Sequence, residues 1–146
     1  MPKVETGHII WETPVKSNPV AIDKILSGGK KFVARGKKYD ASGYILVRAD
    51  GSSMKRRGIN NGDIVYARKF DDSFGKENIQ PDDILLIHLD DERYKGYKIR
   101  VFKKYSPNNA DELETYYYDS EGEERISSRN HRLELVKGVV KYKYSE

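Results

Sequence analysis

The sequence predicts a mainly β domain of many short strands. Three observations carry this. The apolar runs are short and rich in Val, Ile and Tyr, the residues that fit a pleated, half-buried surface. Clusters of Gly, Pro, Asn and Asp break the chain between those runs, as turns require. Only one stretch keeps a helical period, and it lasts two turns.

Taken in order, the first residues contain Pro2 and Pro14, show little apolar periodicity, and read as an extended N-terminal arm. Asn18-Pro19 can cap and open one short helix, Val20 to Leu26, which Gly28-Gly29 would stop. Lys31 to Arg35 predicts a short strand. Tyr44 to Ala49, with Ile45, Leu46 and Val47 consecutive, predicts a buried strand, and Ile64 to Lys69 the next one. Phe70 to Gln80 is a polar loop. Pro81-Asp82-Asp83 then introduces Ile84 to Leu89, which should pair with Tyr97 to Tyr105 across a polar turn at Asp90 to Gly96. Ser106-Pro107-Asn108-Asn109 ends that hairpin. Tyr116, Tyr117 and Tyr118 suit a strand with both faces in use, followed by a turn at Glu121-Gly122. Leu133 to Tyr144 closes the chain. The organisation expected is an arm and short helix over residues 1–43 and a β domain over 44–146.

At 146 residues the chain has the size of one domain, with 37% apolar and 34% charged residues. Cysteine is absent, which excludes disulfides, thiolate metal sites and a cysteine nucleophile. His8, His88 and His131 lack metal-like spacing, so neither a metal nor another cofactor is expected. No apolar run approaches membrane-spanning length and no signal-peptide core opens the chain; a soluble, cytoplasmic protein is the expectation. The net charge of +4 hides an asymmetry, because residues 111–146 hold six Lys/Arg against nine Asp/Glu. Two basic clusters, Lys30, Lys31, Arg35, Lys37, Lys38 and then Lys55, Arg56, Arg57, read as solvated faces. No helix-turn-helix or zinc motif accompanies them, so direct nucleic-acid binding is not expected.

The densest information lies in residues 46–67. An apolar strand runs into Asp50-Gly51-Ser52-Ser53-Met54, and Gly58-Ile59 and Gly62-Asp63 lead into a second apolar strand. Glycines around a serine at a strand end let a nucleophile stand clear of its backbone. Gly51, Ser53, Met54, Gly58, Ile59, Gly62 and Asp63 stand in ungapped register with the serine loop of the LexA/UmuD family of self-cleaving regulators, which is related to signal peptidases. Gly138-Val139-Val140 is similar to that family's final strand. The resemblance covers about residues 44–144 and implies a LexA/signal-peptidase-like complex β fold.

It further implies Ser-Lys chemistry, with Ser53 as nucleophile, beside Gly51 and Met54 as substrate-binding positions. Serine needs a base to take its proton, and lysine serves only as the neutral amine. The matching hairpin strand here is Tyr97-Lys98-Ile99-Arg100-Val101-Phe102-Lys103-Lys104. Anchoring on Phe102-Lys103-Lys104 puts Arg100 at the base position, where guanidinium keeps its proton. Lys98 is the substitute, two residues away on the same strand face; Lys95 lies closer to the turn. Family members cut a small-residue–Gly bond about 35 residues before the serine. That spacing falls here on Asn18-Pro19, a poor substrate, while Gly28-Gly29 lies too close to Ser53 and Thr6-Gly7 further out on the arm. The 43 residues ahead of the matching region are too few for a DNA-binding helical domain plus linker. Two readings stay open: a self-processing peptidase, or a catalytically silent interaction module of the same fold. The resemblance also implies a homodimer through the C-terminal strands and a recombinase filament on damaged DNA as trigger.

Overall fold

The computed structural model describes residues 18–90 and 95–146; the arm over residues 1–17 and the interior of the expected turn at Asp90 to Gly96 lie outside the described residues. The fold is mainly β. Twelve strands occur among the described residues: β1 Val20–Ala21, β2 Lys24–Leu26, β3 Lys31–Ala34, β4 Lys37–Asp40, β5 Tyr44–Arg48, β6 Ile64–Lys69, β7 Ile84–Asp90, β8 Lys95–Ser106, β9 Asn109–Tyr118, β10 Glu124–Ile126, β11 His131–Arg132 and β12 Val136–Tyr144. The main sheet runs β10-β9-β8-β7-β12-β6-β5, with β1 added to β12 and β11 to β9. A second, three-stranded sheet runs β2-β3-β4.

The expected hairpin between Ile84–Leu89 and Tyr97–Tyr105 is present as β7–β8, in the register Leu85↔Arg100, Leu86↔Ile99 and Ile87↔Lys98. The tyrosine run occupies both faces of β9: Tyr116 and Tyr118 enter the core, while Tyr117 is half-buried between them in sequence.

The expected helix over Val20 to Leu26 does not form. Those residues are β1 and β2, and only a 3-10 turn, Ser27–Gly29, follows them. Two helical turns in isolation are marginal. Pairing gives the segment more: Val20 lies parallel to Tyr142 in β12, and Lys24–Leu26 pairs with β3. In this extended form Val20 and Ile22 point to one side and are buried, with exposed Ala21 and Asp23 alternating between them.

The core has three clusters. One gathers Ala49, Met54, Ile59, Val65, Ile84, Leu86, Val101, Tyr116 and Val140. A second joins the small sheet to the large one. Phe32, fully buried, lies 5.2 Å from Tyr39, 4.9 Å from Tyr66 and 5.1 Å from Tyr142, ring centre to ring centre. Such contacts add to the area they bury. Residues 20–43 therefore share a core with the rest of the described chain. The third cluster, on the other face of β7 and β8, includes Leu85, Ile87, Phe102, Leu113, Val136 and Val139.

Two positions test this packing. A Cβ at Gly138 would lie 2.6 Å from the carbonyl oxygen of Arg68 on β6 and 3.2 Å from the Ala67 side chain. Gly138→Ala should therefore lower stability by about 2 kcal/mol, read as a lower urea midpoint. Arg35-Gly36 is a two-residue loop between β3 and β4 with φ of 54° and 78°. That geometry belongs to the tight hairpin turn that favours Asn-Gly, and arginine is strained in it. Arg35→Asn should raise stability by about 0.5 kcal/mol, seen as a higher melting temperature.

Candidate active site

Ser53 sits on the excursion that joins β5 to β6. The ladder between those strands continues past Arg48↔Ile64, because Ala49 N–H donates to the Asp63 carbonyl (2.7 Å) and Gly62 N–H to the Ala49 carbonyl (2.8 Å). The loop is thus closed at its base. The Asn61 side chain crosses it, accepting from Gly51 N–H at 2.8 Å. Met54, only 3% exposed, pins the turn to the core beside Ile59. After a 3-10 turn at Lys55–Arg57, Gly58 takes φ of 87°, a left-handed conformation costly for other residues. The Asn18 side chain lies 3.6 Å from where a Cβ on Gly58 would be. The described chain therefore begins against the serine loop.

Asp63 clasps the loop base to the chain's last residues. Its carboxylate accepts from Asn60 N–H (2.8 Å) and Ser145 Oγ (2.8 Å) and pairs with Lys143 Nζ at 3.4 Å. Burial opposes the charge, yet Asn60, Ser145 and Lys143 together outweigh it and hold the carboxyl below the usual carboxylate range.

The second basic cluster, expected as a solvated face, is dismantled by the fold. Arg57 is 5% exposed and donates from Nη2 to the Asp82 carbonyl at 2.8 Å. Arg56 donates to the Gly122 carbonyl at 2.7 Å and lies over the Tyr118 ring. Lys55 is exposed. Beneath them Tyr116 OH donates to Asp82 Oδ1 at 2.5 Å, and burial, then that bond, pushes the phenol pKa upward. Burial also raises Asp83, against the pull of Gln80 N–H, Lys141 and Arg57. This polar network under the loop had no signal in the sequence beyond the charges themselves.

The serine loop meets β8 where the main sheet splits. The β8–β9 ladder reaches Val101↔Tyr116, and at Tyr118 the backbone N–H instead donates to the Ser53 carbonyl at 3.1 Å. Between the loop and the first half of β8 lies a cleft of about 350 Å³. Gly51, Ser53, Met54, Lys98 and Arg100 all line it, with Val47, Ala49, Ile59 and Ile99 supplying apolar wall. Four consecutive β8 residues, Tyr97 to Arg100, border it, so both faces of that strand reach its edge.

The cross-strand register separates those faces. Ile99 lies opposite Leu86 and packs on the Met54 cluster, whereas Lys98 and Arg100 lie opposite Ile87 and Leu85 of the third cluster. The Arg100 guanidinium is 4.8 Å from the Tyr117 ring centre. Lys98 and Arg100 are also near His131 on β11, whose pKa is lowered by burial and then by those two charges. Lys95, the weaker candidate, faces Asp90 at 3.8 Å at the exposed end of the hairpin. Among the described residues no group of His, Cys, Asp and Glu could hold a metal ion, and no helix is long and apolar enough to cross a membrane.

No protein-family model matches the chain, and no curated protein matches it.

The Asp63 clasp yields a pH signature. A carboxyl with a lowered folded pKa contributes stability that is complete above its unfolded value, about 3.9, and disappears as pH falls through the folded value. Asp63→Asn should cost about 2 kcal/mol at pH 7. The gap between the two proteins' urea midpoints should then narrow as the pH is taken toward 2.

Proposed function

We propose that this chain is a LexA/UmuD-like regulatory protein of the Ser-Lys peptidase type that processes its own N-terminal arm through Ser53. The observation that carries the reading is the cleft: it is bordered at once by Gly51, Ser53 and Met54 of the serine loop and by Lys98 and Arg100 of β8. In this reading Ser53 Oγ attacks a peptide carbonyl carbon as Lys98 takes the hydroxyl proton. The amine leaves with that proton, and water then releases the acyl group from serine. Backbone N–H groups beside Ser53 stabilise the oxyanion. The arm is the natural substrate because Asn18, the residue from which it departs, rests against Gly58 of the serine loop. A cytoplasmic location, a homodimer and activation by a recombinase filament on damaged DNA complete the proposal, and all three rest on the resemblance alone.

A second reading has its own support. Arg100 takes the base position when the hairpin is anchored on Phe102-Lys103-Lys104, and its guanidinium lies on Tyr117. A guanidinium does not give up its proton, so the same cleft would then hold a peptide without cutting it.

Intact mass after incubation at pH 7 and pH 10 separates the two. High pH supplies neutral amine from lysine, so self-processing should appear as slow loss of an N-terminal fragment at pH 10. It should vanish in Ser53→Ala and fall at least about 100-fold in Lys98→Ala. Unchanged mass in every sample would favour the silent module. Cleavage that survives Ser53→Ala would reject the assignment of the nucleophile.

A further inference from the structure

The other basic cluster behaves differently from Lys55–Arg57. Residues 24–38 contain Lys24, Lys30, Lys31, Arg35, Lys37 and Lys38 and no acidic residue. All six are exposed. Strand register sorts them: Phe32 and Ala34 face the aromatic core, so the outer face carries Lys31 and Val33 of β3. Lys24 and Lys38 flank Val33 from the neighbouring strands, while Leu26 and Asp40 flank Lys31. Lys30 and Arg35 stand at opposite ends of β3.

Two acids stand nearby, and Asp40, opposite Lys31 on this face, feels its charge. Asp23 Oδ2 accepts from Gly36 N–H at 3.0 Å, and Asp40 Oδ1 from Ser42 N–H at 2.8 Å. Among the described residues none of the six cations is in an ion pair. Glu112 and Glu114 of the chain's acidic stretch lie on β9, opposite Arg132 and Lys104. Among the described residues the face therefore carries an excess of positive charge.

We propose that the outer face of the β2–β3–β4 sheet docks the phosphate backbone of nucleic acid without reading its sequence. Three strands span about 10 Å. That length of duplex axis carries about six phosphate charges. Lys24, Lys31 and Lys38 face them, with Lys30 and Arg35 at the ends of β3, while Lys37 lies on the other side of β4 over the Tyr39 ring. Lysine predominates, a point charge suited to phosphate contact rather than bidentate base recognition. The apolar residues on this face, Leu26 and Val33, are half-buried, and the exposed large hydrophobics Leu46, Tyr97, Tyr105 and Ile126 all lie elsewhere. The face therefore offers nothing to insert into a bilayer and no aromatic ring for a base to stack on. The proposal is independent of any chemistry at Ser53.

The test is fluorescence anisotropy with two labelled 20-base-pair duplexes of unrelated sequence, from 50 to 200 mM NaCl. Both duplexes should bind within about 3-fold of each other and weaken about 500-fold over that range, as about five phosphate contacts require. The triple variant Lys24→Gln, Lys31→Gln, Lys38→Gln should make the log–log salt slope about three units shallower. Lys103→Gln with Lys104→Gln, exposed lysines on β8, should leave it unchanged. Thermal melting of each variant verifies folding, and the three single Gln variants, each shallower by about one unit, stand in if the triple does not fold. No binding at 50 mM, a strong preference for one duplex, or binding indifferent to these lysines would overturn the proposal. So would lysine-dependent binding to phosphatidylserine vesicles without binding to duplex.

Discussion

The structure depends on where the last strand goes. β12 inserts between β6 and β7, which are consecutive in sequence but not neighbours in the sheet. It also takes β1 alongside its end. Its side chains enter all three core clusters: Val140 the first, Tyr142 the second, Val136 and Val139 the third. Such a strand joins segments that lie far apart in the chain. Gly138 permits the close approach to β6 that this requires. The register then slips between Val136 and Gly138 and again between Val140 and Tyr142, re-aiming the side chains.

The candidate site inherits its geometry from that insertion. Lys143 and Ser145, at and just beyond the end of β12, hold Asp63, and Asp63 holds the foot of the serine loop. On the loop's other side Arg57 and Tyr116 both reach Asp82, in the connection that leads into β7. The loop is thus tied to the sheet at two places. This is what a nucleophile position needs, since precise placement lowers the entropy cost of reaction. It equally suits a rigid binding wall. The difference lies across the cleft, in which β8 side chain comes near Ser53.

Most strands were legible because their side chains alternate or run apolar between clear turn residues, as in Tyr44–Arg48, Ile64–Lys69 and the β7–β8 hairpin. The serine loop was legible for another reason: Gly51, Gly58 and Gly62 all take positive φ, and such demands leave a mark in the residue types. What the sequence concealed was decided at long range. Val20 to Leu26 satisfies a helical pattern, but its strand pairing with β12 spans nearly the whole chain. The fate of Arg57 was hidden similarly, since Lys55-Arg56-Arg57 looks solvated until Asp82 is folded beneath it. β4 was missed because Lys37, Lys38 and Asp40 are all exposed, leaving Tyr39 its one inward side chain at Phe32.

The same topology constrains how a second copy could attach. Pairing through the backbone of β12 is closed over most of its length, since β6 and β7 occupy its two edges and β1 lies along its end. A C-terminal dimer would have to use side-chain faces or the residues after Tyr144. Among the described residues the main sheet ends instead at β5 and β10, and sheet edges are where strands add. β5 carries half-exposed Leu46 and runs directly into Val47, Arg48 and Ala49 of the cleft wall. A chain laid along β5 would therefore approach Ser53 as it paired.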